Sequence, residues 1–234
     1  MNRLLVAGAL AAFLAAVPWP ATAKGDAAQA TIAAAKKGDA SAQYKLGEMY
    51  DLGKGVPQDF RQAVKWYRLS AQQGNASAQF ALAEMYKNGD GVEKDLGEAV
   101  RWYRRAADQG NAGAQLLLGV LYESGVGVST DLTEAATWYR RSADQGDARA
   151  QLLLGNLYQL GQGVPRSTVV AYALYSVSAR RDAKGNPALD HRATLARGMS
   201  PGDLEAARKL SEEMSRPGNF GRALDQYLAQ SMKP

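Results

Sequence analysis

The sequence predicts an all-α fold, a right-handed α-solenoid of stacked antiparallel helix pairs, and three observations lead to that prediction. The same residue types recur every 36 positions, as in the columns Tyr50, Tyr86, Tyr122, Tyr158 and Trp66, Trp102, Trp138. Residues that cap helices stand at fixed places in each period. Hydrophobic residues make up 46% of the 234 residues, which is typical of a folded chain. A fixed period between about 20 and 50 residues indicates a solenoid whose units bury their apolar faces against their neighbours.

The first 23 residues have the three parts of a secretory signal. Arg3 supplies a positive start, Leu4 to Val17 form an apolar stretch, and Ala21-Thr22-Ala23 matches a small-residue cleavage site. This stretch is shorter than the ~20 residues that span a bilayer, and no later segment is apolar enough to span one. We therefore expect residues 1–23 to be removed and the exported chain to carry no integral membrane segment. A periplasmic location is favoured, with secretion as the alternative.

Residues 24–38 are predicted to form an N-terminal capping helix. The segment from Ala27 to Lys37 is similar to the second helix of a unit whose first helix is missing. Ala30 stands where later units have tryptophan, and Gly38 closes the segment as a glycine closes each unit. We expect this helix to cover the layer that contains Trp66.

Four repeat units follow, at residues 39–74, 75–110, 111–146 and 147–182, and each unit is predicted to contain two helices. The first helix of each unit begins after an Asp or Asn that can cap it, and ends at a glycine. These pairs are Asp39 and Gly53, Asn75 and Gly89, Asn111 and Gly125, and Asp147 and Gly161. The second helices begin after Asp59, Asp95, Asp131 and Ser167. Gln62, Glu98 and Glu134, three residues after the aspartates, suggest capping boxes.

Residues 183–234 are predicted to form C-terminal capping helices, since the 36-residue period slips after Arg181. Gly185-Asn186-Pro187 begins a helix of the first type, and Ser200-Pro201 begins another with proline at its preferred first position. A last helix is expected from Asn219 to about Met232. Polar terminal helices of this kind are needed where a stack of repeats ends.

The run from Ala42 to Gly74 reads A-x-x-x-L-G-x-x-Y-x-x-G-x-G-V-x-x-D-x-x-x-A-x-x-W-Y-x-x-x-A-x-x-G, and it closely resembles the Sel1-like repeat, a relative of the tetratricopeptide repeat. The second unit departs from it at Ala83, and the fourth at Ser167 and Leu174. The resemblance implies an α-solenoid adaptor that binds proteins or peptides, often in bacterial envelope assembly, signalling or host contact. It implies neither a substrate nor a reaction.

Composition and motifs disfavour catalytic chemistry. The chain has no cysteine and one histidine, His191, so disulfides, thiolate metal sites and cysteine nucleophiles are excluded. Neither H-E-x-x-H nor G-x-S-x-G occurs, and the G-x-G of each unit lacks the third glycine of a dinucleotide-binding loop. We therefore predict no enzyme, no cofactor and no metal, with an envelope hydrolase as a remote alternative.

A partner-binding groove is predicted along the first helices. Tyr44 and its equivalents in the other units, called the position-44 column, point away from the packed face of the first helix. All four residues are nevertheless apolar: Tyr44, Phe80, Leu116, Leu152. In tetratricopeptide-like stacks this side lines the concave surface. The residues beside this column vary from unit to unit. They are Glu48, Asp51, Glu84 and Lys87 in the first two units, and Val120 and Asn156 in the last two. We predict that these ten residues bind a protein or peptide of the cell envelope, while burial of the position-44 column between units remains open.

An arginine column on the second helices offers an alternative site. Arg68, Arg104 and Arg140, with Arg105 and Arg141 beside them, could bind an anionic envelope polysaccharide. Asp108 and Asp144 lie four residues after Arg104 and Arg140 and are expected to pair with them. The formal charge of +5 is a small difference between 28 basic and 23 acidic residues. Since no basic cluster with interleaved aromatic residues is present, no nucleic-acid partner is expected.

Overall fold

The computed structural model describes residues 23–181 and 185–231, and this part of the chain forms twelve helices. In chain order they are α1 (Ala23–Lys36), α2 (Ala40–Leu52), α3 (Phe60–Gln72), α4 (Ala76–Asn88), α5 (Leu96–Asp108), α6 (Ala112–Ser124), α7 (Leu132–Asp144), α8 (Ala148–Leu160), α9 (Thr168–Arg181), α10 (Ala188–Ala196), α11 (Pro201–Ser215) and α12 (Phe220–Ser231). Within these two ranges, no helix is both long and apolar enough to cross a membrane. The predicted leader lies outside the described residues except for Ala23, where α1 begins.

The repeat units form sequentially stacked helix pairs, and the predicted all-α architecture is confirmed. Each first helix (α2, α4, α6, α8) packs against its own second helix (α3, α5, α7, α9), and each second helix packs against the next first helix. The predicted caps of the first helices are confirmed, since Asp39 Oδ1 accepts from the amide of Ala42 and Asn75 Oδ1 from that of Ala78. These bonds satisfy amides that have no partner within the helix.

The second helices are capped by their aspartates without a full capping box. Asp95 Oδ1 accepts from the backbone amide of Glu98 at 2.9 Å, as expected for an N-cap. In a capping box the glutamate side chain would return this bond, but Glu98 binds Arg101 instead. Glu134 likewise accepts from the indole nitrogen of Trp138 at 3.1 Å. The capping-box prediction is therefore wrong for α5 and α7, because the backbone amides of Asp95 and Asp131 already donate to the carbonyls of Tyr86 and Tyr122.

Two columns of large side chains form the buried centre of the stack. Each first helix contributes a leucine and each second helix a tyrosine, all almost fully buried: Leu46, Leu82, Leu118, Leu154, Tyr67, Tyr103, Tyr139, Tyr175. The small residue after the leucine lets the tyrosine approach closely. A Cβ atom added at Gly47 would lie 2.5 Å from Cδ1 of Tyr67. Helix packing in each unit therefore depends on a small residue facing an aromatic ring.

Buried glutamines join each unit to its neighbours. Gln43 donates to the carbonyl of Ala35 in the preceding helix and accepts from Gln73 at the end of its own second helix. The same arrangement recurs at Gln79 with Gln109, and at Gln115 with Gln145. In these three units both polar groups of the buried amide are hydrogen-bonded, which fixes the register of the neighbouring helices. In the fourth unit Gln151 donates to the carbonyl of Ala143 at 3.2 Å, but its Oε1 has no partner among the described residues.

The glycine pair of each connecting loop is structural. Gly89 ends α4 in the left-handed conformation, with φ of 87°. Two residues later, a Cβ atom at Gly91 would lie 2.3 Å from the carbonyl carbon of Phe60 in the preceding unit. The first glycine therefore ends the helix, and the second lets the loop contact the start of the previous second helix.

Of the C-terminal helices, α10 continues the stack as a helix of the first type, whereas α11 and α12 fold back along the second helices. Both α10 and α11 pack against α9, while α12 packs against α11 and reaches α7. Arg140 of α7 donates to the carbonyl of Gly221 and forms an ion pair with Asp225, with a nitrogen-oxygen distance of 2.9 Å for each contact. At the other end of the stack, Ala35 and Ile32 of α1 pack with Leu46 and Trp66 of the first unit.

Candidate functional site

A cleft between α2 and α4 brings together half of the predicted partner-binding residues. This N-terminal cleft has a volume of about 430 Å³. The predicted residues that line it are Tyr44, Glu48, Asp51, Phe80 and Glu84. Since they come from the first helices of two successive units, the 36-residue repeat itself forms the recess.

Aromatic rings form the walls of the N-terminal cleft. Tyr44 lies against Tyr67, with ring centroids 5.8 Å apart, and Phe80 makes an edge-to-face contact with Tyr103 at 5.7 Å. Both Tyr44 and Phe80 are half-buried and line the cleft, so part of each ring is exposed there. Leu52 stands at the edge of the cleft with 54% of its surface exposed. The cleft therefore offers apolar surface beside its carboxylates.

Each buried tyrosine of a second helix donates its hydroxyl to a polar side chain of the first helix. Two columns of first-helix residues, at positions 48 and 51 of the first unit and their equivalents, supply the acceptors. Tyr67 binds Asp51 at 3.1 Å, Tyr103 binds Glu84, Tyr139 binds Glu123 at 2.5 Å, and Tyr175 lies 2.9 Å from Asn156 and 2.6 Å from Gln159. The second unit uses the other column because Lys87 occupies position 51 there. Every unit thus keeps an acceptor for its tyrosine.

Burial and neighbouring carboxylates hold these tyrosines protonated. Burial, followed by the hydrogen bond from Tyr44 to Glu48, raises the pKa of Tyr44 to about 12. Burial also raises the pKa of Tyr67 well above its ordinary value, and the negative charge of Asp51 adds to that shift. The carboxyl of Asp51 itself has a raised pKa, mainly because it is partly buried. The tyrosines therefore act as hydrogen-bond donors at neutral pH.

The remaining predicted residues do not share one surface. Leu116 is 7% exposed and belongs to the core, while Val120 and Leu152 are partly buried and pack against it. Lys87 forms an ion pair with Glu84 beside the N-terminal cleft. The column of Tyr44, Phe80, Leu116 and Leu152 is therefore half-buried in three units and fully buried at Leu116.

A second cleft, of about 500 Å³, lies at the other end of the first-helix surface, and the sequence pattern missed most of it. This C-terminal cleft contains Asn156, together with Gln159 of α8 and Asp190 and His191 of α10. His191 Nδ1 lies 3.2 Å from Asn156 Oδ1, and its ring meets Tyr175 edge-on at 5.3 Å. Nothing in the 36-residue period marks Asp190 and His191, since α10 lies beyond the last regular unit.

The arginine column is occupied by contacts within the chain. Arg68 donates to the hydroxyl of Tyr86 at 2.9 Å, Arg104 donates to Tyr122, and Arg140 binds α12. The predicted pairing of Arg104 with Asp108 is wrong, since Asp108 instead lies 3.8 Å from Arg141 in the next unit. Arg68 and Arg104 instead donate to tyrosine hydroxyls of the following first helix, Tyr86 and Tyr122.

Two further arginines lie over aromatic rings. Arg105 and Arg141 each stack over a tryptophan, Trp102 and Trp138, at 4.4 Å from the ring centroid. Across residues 23–181 and 185–231, no group of three or more histidine, aspartate or glutamate side chains is arranged to hold a metal ion.

Comparison with known proteins identifies the repeat family. The family model described as the Sel1 repeat matches residues 40–75, 76–111, 112–147 and 148–182. Among solved structures, the chain is similar to c5321, a protective antigen of uropathogenic Escherichia coli that displays an SLR fold, with 38% identity and a TM-score of 0.70. That match covers 83% of this chain but 42% of the antigen, so the chain spans less than half of the antigen's length.

A Sel1 repeat protein from Oxalobacter formigenes is also similar, with 32% identity and a TM-score of 0.67 over 81% of this chain and 79% of that one. No curated protein matches the chain.

Proposed function

Because the chain belongs to the Sel1 repeat family, we propose that it is a non-enzymatic scaffold that binds a protein or peptide of the cell envelope on the surface formed by its first helices. The observation that carries this proposal is the N-terminal cleft, where two successive units combine half-exposed rings with carboxylates. A recess with apolar walls and a few convergent polar groups is the usual form of a binding site. Export forms part of the proposal and rests on the signal-like residues 1–23.

Exposed leucines support an extended partner that reaches both clefts. Leu52 and Leu160 occupy the same position in the first and fourth units, and they are 54% and 62% exposed. Leu52 lines the N-terminal cleft and Leu160 lines the C-terminal cleft. Exposed apolar side chains beside polar recesses are typical of protein-binding surfaces, which supports a segment lying across successive units.

The polar groups of the surface favour binding over catalysis. Tyr67 and Tyr139 are held as protonated donors by burial and by the carboxylates of Asp51 and Glu123. Such pairs hold the first and second helices together and do not activate a nucleophile. The guanidinium groups of the arginine column are already hydrogen-bonded within the chain, so the structure adds no support for the polysaccharide alternative.

A peptide selection tests the proposal. Random 12-residue peptides displayed on phage would be selected on the immobilised protein, and the recovered peptides would be measured against the double variant Leu52→Ser, Leu160→Ser. We expect their affinity to fall about tenfold or more, because exposed apolar anchors dominate such contacts.

The matched control is Leu69→Ser on α3. Leu69 is 37% exposed and lies on a second helix, so its loss should leave peptide affinity unchanged. Recovery of no peptide, or equal loss of affinity in the control, would overturn the proposed function.

A further inference from the structure

The two carboxylates of α2 in the N-terminal cleft have no cationic partner among the side chains that the structure describes. Glu48 accepts a hydrogen bond from Tyr44 at 2.8 Å, and Asp51 accepts one from Tyr67 at 3.1 Å. Among the described residues, no lysine, arginine or histidine nitrogen lies within 4.0 Å of either carboxylate. The third carboxylate of the cleft, Glu84, differs because it pairs with Lys87. The cleft therefore contains uncompensated negative charge.

This charge is partly removed from water. Burial is the main cause that raises the pKa of Asp51. The hydrogen bond from Tyr67 offsets part of that rise, and the charges of Asp90 and Glu48 add to it. Holding like charges together in a half-buried recess costs free energy unless a cation or a proton offsets them. Sites that carry such a cost in the free protein are common where a ligand supplies the missing charge.

The walls of the cleft specify which kind of cation fits. No group of three or more acidic or histidine side chains in the described ranges is arranged around a metal ion, so the carboxylates do not form a metal site. The partly exposed rings of Tyr44 and Phe80 line the same cleft as the carboxylates. A guanidinium or ammonium group binds both to carboxylates and to aromatic faces, whereas an inorganic cation gains little from the rings.

We propose that the N-terminal cleft binds an arginine or lysine side chain of an extended protein segment, with an apolar residue of the same segment beside it on Leu52. This inference rests on the proposed scaffold function and names the partner's chemistry. The formal charge of the whole chain is +5, so attraction of a basic segment cannot come from the overall charge and requires a local group of carboxylates, which this recess provides.

The peptides selected on the wild-type protein provide the first test. We expect them to be enriched in arginine or lysine next to an apolar residue, and their affinity to fall as salt concentration rises. Selected peptides without basic enrichment would overturn this inference and leave the scaffold function intact. If no peptide is recovered, the scaffold function fails and this inference fails with it.

A double variant that removes both negative charges of α2 provides the second test. In Glu48→Gln, Asp51→Asn both amides can still accept the tyrosine hydrogen bonds, so the fold should persist, which circular dichroism would check. We expect affinity for the selected basic peptides to fall about tenfold or more, in line with the coupling of close charge pairs. The control Glu205→Gln, Glu212→Gln removes two exposed carboxylates of α11 and the same total charge, and it should leave affinity unchanged. Equal loss in both variants, or no loss in the first, would overturn the inference.

Discussion

At the scale of single residues, the tyrosine pairs show how a repeat keeps one interaction while its sequence varies. Tyr67 and Tyr139 use acceptors at the same position of the unit, Asp51 and Glu123. Tyr103 uses Glu84, one helical turn earlier, because the equivalent position is lysine. The tyrosine column is visible in the sequence, but the choice of acceptor is not, since it depends on which side chain of the neighbouring helix lies within reach.

The raised pKa of Asp51 predicts a pH-dependent stability. Because burial raises the folded-state pKa above the ordinary 3.8, the native state holds a proton more tightly than the unfolded chain. The stabilisation from this group is therefore complete below pH 3.8 and is lost as pH rises through the folded-state pKa. We expect Asp51→Asn to be more stable than wild type at pH 7, and this advantage to shrink as pH falls toward 3.8.

Urea unfolding between pH 4 and pH 7 would measure the difference in free energy of unfolding between Asp51→Asn and wild type. The control for charge is Glu212→Gln, which removes an exposed carboxylate of α11. A variant less stable than wild type at pH 7 would show that Asp51 stabilises the fold as a charged group.

At the scale of helices, α9 departs from the other second helices. Positions that are arginine in the two preceding units, Arg105 and Arg141, become Val177 in α9. Likewise Arg104 and Arg140 are replaced by Ser176. A helix that is apolar on all sides is buried on all sides. Residues 169–179 of α9 are buried, and α11 packs against it in addition to α10, which takes the place that α4, α6 and α8 have against the earlier second helices. The replacement of arginine by Ser176 and Val177 in the fourth unit therefore indicates, from the sequence, that a further helix covers α9.

Substitutions at one position of two units test this difference. Val177→Arg places a charge where the wild-type side chain is 3% exposed, under α11, and should reduce the free energy of unfolding by about 3–5 kcal/mol. Leu69→Arg makes the same kind of change at the equivalent, exposed position of the first unit and should cost less than about 0.5 kcal/mol.

Hydrogen exchange measured by mass spectrometry would show where the Val177→Arg cost falls, and we expect loss of protection in α11 and α12. Equal effects of the two substitutions would contradict the assignment of α11 as the cover of α9.

At the scale of the whole molecule, the period accounts for most of what the sequence could predict. Each unit buries its apolar residues only against its neighbours, so caps, loop glycines and core columns recur and can be read without a structure. The clefts are different, because they need side chains from two successive first helices, and α10 at the C-terminal end. Leu116 illustrates the limit, since its position is half-exposed at Phe80 but buried one unit later.

The central claim is that partners bind on the surface of the first helices. Amide chemical shifts measured by nuclear magnetic resonance, with and without a selected peptide, test it most directly. We predict that the largest changes fall on α2 and α4 around Tyr44, Glu48 and Phe80, with smaller changes on α8 near Asn156. Changes concentrated on the outer faces of α3, α5 and α7, around Arg68 and Arg104, would contradict the claim.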